Sequence, residues 1–261
     1  MKRAAAFHVA LCAAGAAQAQ DAPICTDRPT KANAVCTVPP DQFQLETSAL
    51  GWMLNEAGAG RTELLTVTSS FAKMGLTERS DLEIGFTPFA ELTSRAPGAF
   101  DRVSGFGDTL FRYKHRLTSA SAPVQLAAIP FAKLPTAAGG LGNGKVEGGV
   151  ALPVSFAFAG PATITLGPEL DVLADSDGSG RHPALVNLVN ISLAVAFRWS
   201  IVGELWTNFN FDPAGTIEQA SADGAVAYTL SNRLQLDAGA NFGLTAATPD
   251  LELYVGLSFR F

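Results

Sequence analysis

The closing stretch, Leu251 to Phe261, constrains the fold more than any other part of the chain. Leu251, Leu253, Val255, Leu257, Phe259 and Phe261 alternate without a break with Glu252, Tyr254, Gly256, Ser258 and Arg260. In a strand successive side chains point to opposite faces, so one face of this segment wants hydrocarbon and the other water. A strand of a soluble two-sheet sandwich alternates too, but there a chain end frays and a large terminal apolar residue gains little by being left exposed. Phe261 in the last position therefore favours a strand that is held on both sides and meets an apolar medium.

The other end predicts how such a strand reaches that medium. Met1-Lys2-Arg3 supplies positive charge, Ala4 to Ala14 an apolar run, and Ala17-Gln18-Ala19 a small-residue cleavage site. This is the pattern of a secretory signal peptide over residues 1–19, cut after Ala19. The apolar run is shorter than the roughly 20 residues a transmembrane helix needs. Cys12 follows Leu11 inside that run, which does not fit a lipid-modified cysteine at a signal boundary. Loss of Lys2 and Arg3 takes the formal net charge from −6 to −8, a poor balance for binding nucleic acid. The length suits one domain.

Two cysteines remain, Cys25 and Cys36, an even pair in an exported chain, and an oxidising compartment favours closing them into a disulfide. On the chain-entropy account the closure is worth about 2 to 3 kcal/mol. A metal reading fails because two thiols alone do not complete a tetrahedral site. No cofactor is expected. Residues 20–40, tied by this pair, are expected to sit at the periplasmic mouth of the fold or to enter it as a plug.

From residue 41 to the end, segments of about ten residues with period two follow one another, the weak repeated signal of a membrane β-barrel. The phased runs begin with Phe43, Leu45 and Thr47 against Gln44, Glu46 and Ser48, and continue through Leu82 and Ile84 against Asp81, Glu83 and Glu91. Later runs centre on Val150 to Phe158, Ile164 to Val172, Leu185 to Phe197, Ile201 to Phe211, Val226 to Leu230 and Leu234 to Leu244. Between 107 and 117, Arg112, Lys114 and Arg116 share a face opposite Phe111 and Tyr113. Each cation facing lipid near the midplane costs about 2 to 4 kcal/mol, so these three must face inward. There they are expected to meet Asp81, Glu83 and Glu91 as a luminal charge ladder. The expectation is an all-β, antiparallel transmembrane barrel of about 12 strands, with tight turns at one end alternating with longer loops such as 94–104, 136–144 and 175–182.

The closing strand resembles that of bacterial outer-membrane barrels, whose terminal Phe is read by the barrel-assembly machinery; the resemblance makes Phe259 and Phe261 the assembly signal. Further stretches carry a narrower resemblance: Ile24-Cys25-Thr26-Asp27-Arg28-Pro29-Thr30, Gly105-Phe106-Gly107-Asp108-Thr109, Pro130 to Thr136 leading into Gly140 to Gly149, and Leu234 to Leu244 with Phe261. In this order they resemble the family of outer-membrane transporters named for a MetA pathway of phenol degradation. The resemblance implies an outer-membrane barrel and a transport role.

Other motifs point elsewhere and fall short. Gly139 to Lys145 fits a phosphate-binding loop, but Val146 stands where the magnesium-binding hydroxyl belongs and no helix pattern follows. Asp175-Ser176-Asp177-Gly178 resembles a calcium loop without its closing Glu. His182 lies near Ser176 and Ser179, yet no nucleophile turn accompanies it. The function expected is passive passage of small polar or amphiphilic molecules, aromatic ones among them, with lipid, the assembly machinery and the solute as partners. The alternatives are a closed structural or adhesion barrel and, third, a membrane-embedded hydrolase.

Overall fold

The structure is a computed structural model that describes residues 23–261. The signal peptide and its cleavage site lie outside the described residues. All regular structure among those residues is β, in sixteen segments. They are β1 (Phe43–Ala57), β2 (Gly60–Thr77), β3 (Ser80–Phe86), β4 (Phe89–Ala96), β5 (Ala99–Gly105), β6 (Thr109–Arg116), β7 (Val124–Leu134) and β8 (Glu147–Ala151). They continue with β9 (Val154–Ala157), β10 (Ala162–Leu166), β11 (Glu169–Ala174), β12 (Arg181–Ala196), β13 (Trp199–Asn210), β14 (Ile217–Ser231), β15 (Leu234–Gly243) and β16 (Leu251–Arg260).

Four pairs of consecutive segments, β3 with β4, β5 with β6, β8 with β9 and β10 with β11, continue one another against shared neighbours. The result is twelve antiparallel staves. β1 pairs with β2 on one side and with β16 on the other, from Gln44↔Arg260 to Leu54↔Leu251, so the sheet closes on itself. Closure leaves no free edge around the barrel wall, the condition for a sheet to cross hydrocarbon; β5, which pairs with β4 alone among the described residues, extends beyond that wall.

Burial is inverted relative to a soluble protein. Gln44, Glu46, Lys73, Glu83, Lys114 and Glu204 are buried, while Leu82, Phe111, Leu185, Ile201, Leu236 and Val255 are exposed. Alternation places the first set in the lumen and the second on the outer surface. Aromatic rings gather on that surface at the end where β1 begins and β16 closes: Trp199 lies 4.7 Å from Tyr228, and Phe259 meets Phe261 edge-on at 5.0 Å.

Three of the four breaks between paired segments sit at prolines, Pro88, Pro153 and Pro168, while the break between β5 and β6 runs over Phe106-Gly107-Asp108. Proline offers no N–H to a ladder. Pro130 leaves a similar gap, since the β6–β7 ladder lapses at Tyr113 and Lys114 and resumes at His115↔Ala128.

Two expectations need correction here. The loop expected over residues 94–104 is a tight hairpin, with Ala96 paired to Ala99 and Gly98 turning at φ 76°. Above the membrane both faces of a strand meet water, so period-two hydrophobicity vanishes although the strand goes on. Glu91 does not join Asp81 and Glu83 in the lumen. On β3 the even residues Leu82 and Ile84 are exposed, whereas on β4 it is Phe89 that is exposed and Ala90 that is buried. The irregular Thr87-Pro88 junction reverses the phase and turns Glu91 to the outer surface, where it pairs with Arg102 at 2.5 Å.

Candidate functional site

Residues 24–38 run across the lumen at the end where Phe43 meets Phe261, and their contacts reach most of the staves. Cys25 and Cys36 are joined in a disulfide, closing this segment into a loop. Its seat has two charged poles of opposite sense.

At the first pole the acid comes from the segment. Lys114 Nζ donates to both Asp27 oxygens at 2.7 and 2.9 Å, and Lys73 Nζ to Asp27 Oδ2 at 2.5 Å. Lys73 also meets Glu46 at 2.7 Å, and Lys114 meets Glu83 at 3.2 Å. Burial alone would push the Asp27 carboxyl up; the Lys114 and Lys73 ammonium groups overcome it and hold the carboxyl well below the usual carboxylate range. Backbone groups join in, with Val38 N donating to Asp81 at 2.7 Å and Gln44 donating to Cys25 O at 2.6 Å.

At the second pole the cations come from the segment. Arg28 grips Asp237 through Nε at 3.1 Å and Nη2 at 2.5 Å, a two-pronged geometry suited to a carboxylate. Lys31 Nζ reaches Asp223 at 2.6 Å and Ser221 at 3.1 Å. The backbone N–H groups of Lys31 and Ala32 both donate to Glu204, at 3.0 and 3.1 Å. Gly256 makes room for this pole, because a Cβ there would overlap the Arg28 guanidinium.

Between the poles the wall changes character. A cavity of about 470 Å³ separates the segment from Ser155, Thr163, Thr165, Ser192 and Ser200, all short hydroxyl side chains. On the other side of the segment, towards the long loops, a chamber of about 280 Å³ is bounded by Arg112, Glu169, Asp171, Trp206 and Asn208.

The residues expected to form one ladder are divided among three places. Asp81, Glu83 and Lys114 are each 1% exposed and belong to the seat of the segment. Arg112 keeps a fifth of its side chain exposed, donates to Asn33 at 3.2 Å and stacks over Phe71 at 4.2 Å. Arg116 donates to the carbonyl of Glu78 at 2.7 Å, in the turn at the terminal end. Glu91 is outside. Sequence reasoning missed Lys73, because Thr68 adopts a left-handed φ of 53° and breaks the alternation of β2. Counted from Ser69 onward, Phe71 and Lys73 share the inward face. It also gave no place to Asp27, Arg28 or Lys31, which lie in a segment without periodicity.

From Gly139 to Lys145 the chain forms a loop leading into β8, with Lys145 donating to Gly178 O at 3.3 Å. His182 Nδ1 lies 2.8 Å from Asp175, but Ser176 Oγ turns to Asp212 at 3.1 Å. Among the described residues no group of three His, Cys, Asp or Glu is placed to hold a metal ion.

Against known proteins, a family model described as "Putative MetA-pathway of phenol degradation" matches residues 26–261. The chain belongs to this family. No curated sequence matches it. Among solved structures it is similar to an outer membrane channel from Pseudomonas putida F1, with a TM-score of 0.67 at 13% identity over 88% of this chain and 98% of that one. The NanC porin gives 0.55 at 7% over 82% and 98%. The translocator domain of the autotransporter NalP from Neisseria meningitidis gives 0.55 at 11% over 84% and 88%. At such identities the likeness speaks for the fold alone, a closed antiparallel barrel of the kind found in outer-membrane proteins.

Proposed function

We propose that the protein is a passive outer-membrane channel for small molecules, exported with cleavage after Ala19, assembled through its Phe261 terminus, and narrowed by residues 24–38 acting as a resident plug. The observation that carries the reading is the cavity of about 470 Å³ beside that segment, walled on the barrel side chiefly by Ser and Thr, with Asn190, Gln235, Val202 and Ala227 completing it. Short hydroxyls present both donors and acceptors without fixed charge, which suits small polar and amphiphilic solutes. The structure of the channel from Pseudomonas putida F1 supports the reading by its shared fold.

Twelve staves enclose a passage between the side-chain-filled eight-strand barrels and the wide sixteen-strand porins. The plug narrows it further. Arg112, alone of the three inward cations, is open to a passing solute, so any charge preference rests on it and on the acids around it. Lys114 serves as seat. Liposome swelling with solutes of graded size tests the channel: entry of pentose-sized molecules with exclusion of trisaccharides is the expected result. Absence of swelling with every solute, both for the intact protein and for a variant with its plug unseated, would favour the closed structural barrel.

A further inference from the structure

The chamber on the loop side of the plug brings three residues with an unpaired buried polar atom to one cavity, whereas most other such atoms, those of Asp81, Glu83 and Asp223 among them, belong to side chains already engaged with the plug or its seat. Asp171 Oδ1, Asn208 Oδ1 and Arg112 Nε are each buried and without a hydrogen-bond partner. All three residues bound the same cavity of about 280 Å³. A buried polar atom left unpaired costs about 1 to 3 kcal/mol, so such a set in one place calls for an occupant. Elsewhere around the plug the charged groups are largely spent on it: Lys31 on Asp223 and Ser221, and the outer prong of Arg112 on Asn33.

We propose that this chamber is a binding subsite for an uncharged six-membered ring bearing several hydroxyl groups. The unsatisfied set is two acceptors and one donor, and a hydroxyl both donates and accepts. Charge argues the same way. An anion would face Glu169 and Asp171, and a cation would face Arg112 and Lys31, so neither sign gains from entering. The rest of the lining is apolar, with the indole of Trp206 and the side chains of Pro153, Val186 and Leu188. A ring offers such a surface its C–H or π face while its edge hydroxyls reach the polar atoms. At about 280 Å³ the cavity falls at the small end of ligand sites, which begin near 300 Å³, and so fits a single ring. Cyclic polyols and dihydroxybenzenes share this chemistry.

The inference rests on the channel reading, because a solute must reach the chamber, but binding and passage are measured separately. Titration calorimetry on the purified full chain uses myo-inositol in one arm and catechol in the other, with benzoate as an anion of matched size. Saturable binding of either neutral compound, at least tenfold tighter than benzoate, is expected, and the arm that binds tells a polyol source from a phenolic one. Trp206→Ala and Asn208→Leu should each weaken that binding at least tenfold while the barrel keeps its heat-modifiable gel mobility. Asp171→Asn serves as a milder variant that keeps the volume and removes the charge; binding of the neutral ring should survive it within a fewfold. No binding in either arm, benzoate binding as tightly as both, or unchanged binding in Asn208→Leu and Trp206→Ala would overturn the subsite. Swelling without binding leaves the channel standing and removes the subsite; binding without swelling does the reverse.

Discussion

The two walls that flank the plug are built from the same alternating strands and do opposite things. Along β1, β2, β3 and β6 the inward positions carry Glu46, Lys73, Glu83 and Lys114, all nearly inaccessible and all engaged with Asp27 or with one another. Along β9 and β10 and the neighbouring ends of β12 and β13 the inward positions are Ser155, Thr163, Thr165, Ser192 and Ser200, and a cavity lies beside them, before Asn190 and Glu204 further along β12 and β13 take up contact with the plug again. A charge taken out of water must be paired at close range, so the first wall has to touch the plug. A hydroxyl loses much less on losing one partner and tolerates water in its place. Fixed charge therefore holds the plug in position, and small neutral side chains leave room for a solute to pass it.

The sharpest way to break this contrast is to remove the acid that the first wall closes on. Asp27→Ala leaves Lys73 and Lys114 with one fewer carboxylate in a buried site, a change worth about 3 to 5 kcal/mol. The plug should leave its seat, and single-channel conductance should rise severalfold while the barrel remains folded. Unchanged conductance would mean that the plug does not limit flow. The same contact fixes a pH response. The folded-state pKa of Asp27 is depressed, so its contribution is fully present above the ordinary carboxylate value of about 4 and is lost as pH falls towards the lower folded value. Conductance should stay flat from neutral pH down to about 5 and climb only below about 4. In Asp27→Ala that step should vanish.

A smaller effect is expected at the second pole. Arg28 retains some exposure, and losing its two hydrogen bonds to Asp237 costs about 2 kcal/mol. Arg28→Ala should free part of the plug and shift selectivity towards cations, because Asp237 is then uncovered. Gly256→Ala should displace the guanidinium without removing a charge, and it should also strain the β1–β16 seam, because the added methyl group overlaps the Thr47 carbonyl as well as Arg28. Reversal potentials under a salt gradient separate the two results from a general loss of folding. Cys25→Ser, at about 2 to 3 kcal/mol on the chain-entropy account, acts on the plug alone. Hydrogen exchange should speed up over residues 24–38 and stay unchanged in the staves.

How much of this was legible beforehand follows from what each contact requires. Twelve phased segments and a closing aromatic strand are local signals, and they fix the barrel and its inside-out burial. The inward direction of Lys114 and Arg112 was legible for the same reason, since three cations on one strand face cannot look at lipid. What Lys114 touches was not, because its partner Asp27 lies 87 residues away in a segment with no period. Glu91 was misplaced because alternation carries no record of a phase reversal at Thr87-Pro88. The pairing of Arg28 with Asp237, 209 residues apart, is likewise a property of the closed barrel and of no stretch within it.

The smallest effect tests the opposite wall, and it is the one that distinguishes a lane from leftover space. Thr165 Oγ1 donates to Ser155 Oγ at 3.1 Å within the hydroxyl wall and makes no contact with the plug's charged poles. Thr165→Val keeps the shape and removes the hydroxyl, costing about 1 kcal/mol or less, so neither barrel stability nor exchange in residues 24–38 should move measurably. If solutes pass along this wall, swelling rates for polar solutes should fall about twofold relative to apolar solutes of equal size, because a step through a constriction loses one hydrogen-bond partner. If polar and apolar solutes slow together or not at all, the cavity beside the plug is packing space, and passage depends on the plug's leaving its seat.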